Sequence, residues 1–138
     1  MMSARMVLVA VAAAALLALV GVPTVRAAAD DGQRYGIVLD AGSSGTRVYL
    51  FTWVAGDETA TLSEVMHKKV SPGVSYYSEE PSKAADSVRE LLKHAYKHIP
   101  EHLMSQVPIT LQATAGMRLL PEEESGVVLA ELRKMLSE

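Results

Sequence analysis

The first strong pattern along the chain is a pair of apolar runs separated by a polar turn. Ile37, Val38 and Leu39 form a continuous apolar run, as expected of a strand buried on both faces. Val48 to Phe51 is again β-branched, apolar and aromatic, so a second strand is predicted over Thr46 to Trp53. Ala55-Gly56-Asp57-Glu58 reads as the next turn. Thr61 to Val70 carries Leu62, Val65, Met66 and Val70 among charges and fits a third, edge-like strand. Ser71 to Tyr77 reads as a loop. From Pro81 the period changes. Ala84, Ala85, Val88, Leu91, Leu92, Ala95, Tyr96 and Ile99 make one apolar stripe at helical spacing, and Pro100 ends it. Pro81 suits a first helical turn, with Glu79 and Glu80 placed to complement the dipole. Pro108 to Ala113 returns to strand, with Ile109 and Leu111 on one face. Thr114-Ala115-Gly116 is a small-residue turn, and Pro121 with Glu122, Glu123 and Glu124 opens a last helix. That helix continues through Val127, Val128, Leu132, Met135 and Leu136. The order is β-β-(β)-α-β-α, an α/β pattern.

The turn between the first two strands is too elaborate for a plain hairpin, which needs only two residues such as Asn-Gly. Asp40-Ala41-Gly42-Ser43-Ser44-Gly45-Thr46 holds an acid, two glycines, two serines and a threonine. Small residues let a backbone approach a ligand closely. Successive amides and hydroxyls can converge on an anion such as phosphate. Asp40, closing a buried strand, is placed to hold a hydrated divalent cation. The competing reading is a structural hairpin whose serines cap turns. Thr114 at the end of a later strand adds a hydroxyl to the same cavity only if the two turns meet. By itself that second turn is an ordinary strand-to-helix junction.

Both turns resemble conserved regions of one family. Asp-Ala-Gly-Ser-Ser-Gly-Thr-Arg at 40–47 resembles the first conserved region of the apyrases, the nucleoside triphosphate diphosphohydrolases. Leu111-Gln112-Ala113-Thr114-Ala115-Gly116-Met117-Arg118 resembles their second, in the right order and at the right separation. The resemblance implies the actin-like ATPase (ribonuclease H-like) superfold, here a partial N-terminal lobe. It implies hydrolysis of terminal phosphates of nucleoside tri- or diphosphates with Mg²⁺ or Ca²⁺. Carried over by position, Asp40 holds the metal through water. Gly42, Ser43, Ser44, Gly45 and Thr46 cradle phosphate, with Thr114, Ala115 and Gly116 lining the other side. Arg47 and Arg118 are either phosphate clamps or structural ion-pair residues. The family's general base, a glutamate of its third region, is expected downstream of Glu138, so no catalytic residue is identified within this chain. The fourth and fifth regions, with a second phosphate loop and the nucleoside side, are likewise expected elsewhere. An incomplete N-terminal portion, inactive alone and partnered by the remaining lobe, is therefore expected.

The N-terminus changes the picture of location. Arg5 precedes an uncharged apolar run from Met6 to Val22, Pro23 ends it, and Ala27-Ala28-Ala29 supplies small residues for cleavage. This favours a signal peptide over residues 1–29, with an uncleaved anchor as the alternative. Either fate places residues 30–138 in the secretory pathway: secreted, at the cell surface or in the Golgi lumen. Removing Arg5 and Arg26 from the thirteen basic residues leaves a net charge of −5 against sixteen acids. Such a domain does not attract nucleic acid by bulk charge. No cysteine is present, and no asparagine, so neither a disulfide framework nor an N-glycosylation acceptor exists in these 138 residues.

Other features stay bland. His94, His98 and His102 recur every four residues, but Pro100 interrupts the helix and Lys93 and Lys97 repel a cation, so a solvated helix face is expected. Tyr49, Phe51 and Trp53 alternate on a strand and read as core or lobe-interface residues. Neither a Walker loop nor a Rossmann glycine pattern occurs, and strand flanks exclude the RNA clamp that Gly42-x-x-Gly45 suggests. Two alternatives to the apyrase reading remain. One is another actin-fold phosphotransferase or polyphosphatase. The other is a non-catalytic secreted fragment that binds nucleotide or pairs through its sheet edge.

Overall fold

The computed structural model describes residues 7–10, 32–42, 44–56 and 61–138. The predicted cleavage region, Ser43 and the turn positions Asp57 and Glu58 lie outside the described residues. Five strands form one sheet: β1 (Val7–Ala10), β2 (Gln33–Ala41), β3 (Thr46–Val54), β4 (Ser63–Val70) and β5 (Ile109–Ala113). Among the described residues three α-helices accompany them: α1 (Pro81–Tyr96), α2 (Ala115–Arg118) and α3 (Glu122–Ser137). Short 3-10 turns occupy Val74–Tyr77 and Glu101–Gln106. The sheet order is β1-β5-β2-β3-β4. β2, β3 and β4 form an antiparallel meander, and β5 runs parallel to β2. The Ser71–Pro72 peptide is cis.

The alternation of side chains sorts the sheet into two unlike faces. Ile37 lies opposite Leu50 and Ile109, Leu39 opposite Val48 and Leu111, and Ala41 opposite Thr46 and Ala113. All of these are buried, because paired residues share a face. α1 covers this face with Ala84, Ala85, Val88, Leu91, Leu92 and Ala95, and α3 adds Val128, Leu132, Met135 and Leu136. The apolar stripe predicted for α1 is therefore the core stripe. In α3 the matching prediction holds except at Val127, which is exposed on the helix's outer side.

The other face is different. Val38 pairs with Tyr49, Gly36 with Phe51, and Arg34 with Trp53. These side chains are half-buried rather than core. Tyr49 and Phe51 stack with ring centroids 6.1 Å apart, and His67 tilts against Tyr49 at 5.9 Å. The continuous run 37–39 thus belongs to a strand with one covered face, not two, since α1 and α3 pack on the same side.

Several boundaries move for identifiable reasons. β2 begins at Gln33 rather than Tyr35, because the long β3 supplies partners as far as Val54. α1 ends at Tyr96, one turn before Ile99, although Ile99 is still buried. Glu80 does not cap the helix with its side chain. It pairs instead with Lys83 at 2.8 Å. β1 falls within the segment assigned above to a signal peptide. It lies beside β5, parallel, with Val7 opposite Ile109 and Ala10 opposite Gln112. No helix among the described residues is long and apolar enough to cross a membrane.

His94 is partly buried, and His98 and His102 are exposed. His94 and His98 approach to 5.9 Å on the α1 side, while His102 sits on the 3-10 turn at Glu101–Gln106. No group of three metal-ligating side chains occurs among the described residues. Partial withdrawal from water lowers the His94 pKa below its ordinary value of 6.5, and the Lys68, Lys97 and His98 charges push the same way.

Two measurements check this packing. Leu91→Ala empties a fully buried site under α1 and is expected to cost about 2–5 kcal/mol in urea unfolding, whereas Leu119→Ala, on an exposed residue, stays within about 0.5 kcal/mol. In an NMR titration His94 is expected to protonate below pH 6.5. The unfolded chain then binds the proton first, so stability falls as pH drops through that window and is restored above it.

Candidate phosphate-binding site

Parallel pairing puts Leu39 opposite Leu111, Asp40 opposite Gln112 and Ala41 opposite Ala113. β2 and β5 therefore finish at the same end of the sheet, and the turns that follow them emerge side by side. The Thr114 amide donates to the Ala41 carbonyl at 3.1 Å. The Thr114 hydroxyl donates to the same oxygen at 3.3 Å, joining positions 73 residues apart in sequence. The Gly42 amide donates to the Gly45 carbonyl at 3.0 Å, which closes the turn between β2 and β3. A Cβ on Gly42 would sit 3.2 Å from that carbonyl and 3.9 Å from the Thr114 hydroxyl. The two predicted turns thus meet.

Asp40 and Arg47 face each other across β2 and β3 on the open side of the sheet. Their charged atoms are 3.5 Å apart, with about a third of each side chain exposed (33% and 38%). This is a partly solvated cross-strand pair, worth little to stability by itself. It leaves Asp40 reachable from solvent and gives Arg47 a structural partner. Arg118 is exposed on the short α2, whose Gly116 and Met117 are buried. Thr46 departs from the hydroxyl role expected of it. Its side chain is wholly buried on the core face, and its hydroxyl has no hydrogen-bond partner among the described residues. Only the Thr46 backbone lies in line with the loop. The reason is the pleat: Thr46 pairs with Ala41 and Val70, so its side chain points with Val48 and Leu50.

A third segment, expected from its residues to be a plain loop, packs against the first turn. A Cβ on Gly45 would meet the Lys69 Cε at 2.5 Å, the Val70 carbonyl at 2.6 Å and the Ser71 Oγ at 3.1 Å. The Ser71 hydroxyl donates to the Ser44 carbonyl at 3.0 Å. A Cβ on Gly73 would collide with the Gly42 carbonyl oxygen. The available signal was Pro72-Gly73 directly after a strand, a pair that marks a tight turn but not its partner.

The donor set can be tested against a divalent cation. Asp40 is one partly exposed carboxylate beside the turn, and no group of three metal-ligating side chains accompanies it among the described residues. That suits a hard cation that keeps most of its waters and arrives with a ligand's phosphates. It does not suit a preloaded all-protein site. The residues fit in that limited sense.

A model of the GDA1/CD39 (nucleoside phosphatase) family matches residues 26–138. The chain belongs to this family. It is 38% identical over 117 residues to nucleoside-diphosphatase mig-23 of Caenorhabditis elegans, covering 78% of this chain and 21% of that protein. It is 41% identical over 106 residues to ectonucleoside triphosphate diphosphohydrolase 5 of Gallus gallus, covering 75% of this chain and 25% of that protein. The chain therefore spans between a fifth and a quarter of the length of these relatives. Among solved structures, a nucleoside triphosphate hydrolase from Neospora caninum aligns over 77% of this chain and 25% of that chain, with TM-score 0.52 and 18% identity. The Ppx/GppA enzyme of Aquifex aeolicus aligns over 75% of this chain and 33% of that chain, with TM-score 0.51 and 14% identity. These likenesses establish the fold: a mixed α/β sheet with helices, consistent with a partial actin-like lobe.

The crowding at the turn has a measurable consequence. Gly45→Ala places a methyl against the Val70 carbonyl and is expected to cost about 1–3 kcal/mol in denaturant unfolding. Gly126→Ala, where a Cβ meets nothing within 4 Å, is expected to be neutral or stabilising by up to about 1 kcal/mol in the same assay.

Proposed function

We propose that this chain supplies the N-terminal phosphate-binding portion of an enzyme that hydrolyses terminal phosphates of nucleoside tri- and diphosphates. The observation that carries the reading is the junction at the Ala41 carbonyl, where the turns 42–46 and 114–116 are held together. Family membership supports a nucleoside phosphate as the substrate class. Mg²⁺ or Ca²⁺ is the proposed cofactor; when bound, it neutralises charge on the phosphoryl oxygens.

The chain's own residues have separate parts in this scheme. Backbone amides of Ser43, Ser44, Gly45 and Thr46 bind phosphate oxygens, while the Gly42 amide closes the turn on the Gly45 carbonyl. Asp40 orients a water of the cation's shell. Arg47 holds the Asp40 carboxylate toward the open side of the sheet. Thr114 with Ala115 and Gly116 lines the side from which water attacks, and the Thr114 hydroxyl is kept close by its bond to Ala41. This division of labour is positioning and electrostatics, the main requirements of phosphoryl transfer. The proton of the attacking water goes to a base outside these turns. The remaining lobe of a longer protein is its proposed source, so negligible turnover is proposed for this chain alone. The apolar run at Met6 to Val22 supports a secretory-pathway location for the enzyme.

The test is an amide NMR titration of the isotope-labelled chain with ADP and Mg²⁺. Gly42, Gly45 and Thr114 are expected to shift together on one binding curve. Asp40→Asn is expected to weaken the metal-dependent part roughly tenfold or more. Released phosphate stays at the buffer background. Amides that stay unmoved at millimolar nucleotide would sink the reading.

A further inference from the structure

The backbone of Gly73 does not need a glycine for its own conformation. Its φ of −73° and ψ of 164° are extended values open to any residue. Its constraint is steric. A Cβ there would run into the Gly42 carbonyl oxygen and would stand 3.1 Å from the Gly45 nitrogen. Two residues earlier, the Ser71 hydroxyl donates to the Ser44 carbonyl at 3.0 Å. The Val70 carbonyl and Ser71 Oγ also close the space in which a Gly45 side chain would stand. One five-residue segment, Lys69–Gly73, thus touches the phosphate turn at Gly42, Ser44 and Gly45.

We propose that Ser71 and Gly73 are positioning residues of the phosphate turn, bracing its backbone at Gly42, Ser44 and Gly45 so that it keeps one shape without a ligand. The proposal rests on the reading of residues 42–46 as the phosphate cradle. It adds a mechanical source for that cradle's shape. A turn of glycines and serines has many backbone states, and ordering them on binding costs free energy. A hydrogen bond at Ser44, on the exposed side, and a backbone wall at Gly42 reduce those states beforehand, which is how preorganisation raises affinity. β4 holds the brace through its pairing with β3, where Val70 lies opposite Thr46. On its other side, the Gly73 carbonyl accepts from the Tyr76 amide at 3.0 Å, and Val74 is buried in the core. The brace is thereby anchored at both ends.

The experiment compares the full 138-residue chain with Ser71→Ala, Ser71→Thr and Gly73→Ala. It reads hydrogen exchange at the amides of Ser44, Gly45 and Thr46, with Val88 and Leu91 of α1 as the internal reference. It also reads affinity for pyrophosphate with Mg²⁺ by amide shifts. Ser71→Ala is expected to speed exchange in the turn roughly three- to tenfold, the worth of one hydrogen bond, with α1 unchanged. Pyrophosphate affinity should fall by a similar factor. Ser71→Thr should restore both, and Gly73→Ala should loosen the turn at least as much as Ser71→Ala. If Gly73→Ala fails to fold, Ser71→Ala and its threonine rescue decide the matter. Wild-type exchange in a folded Ser71→Ala chain overturns the proposal. So does loosening that spreads equally to α1, because that is only lost stability. A wild-type chain that ignores pyrophosphate while Ser71→Ala still loosens the turn alone upholds the brace and removes the phosphate reading.

Discussion

The Ala41 carbonyl oxygen receives both the amide and the hydroxyl of Thr114, and the site depends on that junction. It exists because β2 and β5 run parallel, in a register that ends both strands together. Parallel neighbours cannot be joined by a hairpin and need a long crossover, usually helical. Here β3, β4 and α1 intervene between the two strands, and α1 packs on the core face. The buried stripe of α1 therefore does more than stabilise. By covering the sheet from one side it sets how the chain returns to β5, and so where Thr114 arrives. Small residues at Ala41 and Ala113, side by side at the strand ends, leave room for the two turns to approach.

The glycines of the first turn also change meaning once the neighbours are known. In the chain alone they suggest a backbone open to a ligand. In the folded protein much of their freedom is used by the protein itself, since Gly45 lies against β4 and Gly73 lies against Gly42. A turn packed on one side and open on the other is a common way to hold a polar backbone in one shape, because packed backbones have few alternative arrangements.

The sheet is unequal in its two faces. One face is closed by α1 and α3. The other carries Val38, Tyr49, Phe51 and Trp53 half-buried, with the Trp53 ring over Gly36, where a Cβ would meet Cζ3 at 3.2 Å. Asp40 and Arg47 lie on that same open face, next to the turn. The outer edge of β5 is taken by β1, a short strand drawn from the apolar N-terminal run.

Much of this protein was legible in its residues. Alternation and helical period are local properties, so β2 to β5, α1 and α3 could be read from spacing, as could the core stripe of Val88, Leu91 and Leu92. The pairing of Asp40-x-Gly with Ala-Thr-Ala-Gly was legible only through the family resemblance, because the second turn by itself reads as an ordinary strand-to-helix junction. Three things were decided only by tertiary structure. Pleat and pairing turned the Thr46 hydroxyl into the core, which no local pattern reveals. Packing of both long helices on one side made the aromatic row 49–51–53 a half-buried face rather than core. The brace at Ser71 and Gly73 depends on β4 returning beside β3, a contact between residues 27 apart. A sequence displays which side chains and backbone freedoms are available. Which backbone comes to lie against a glycine depends on the path of the whole chain.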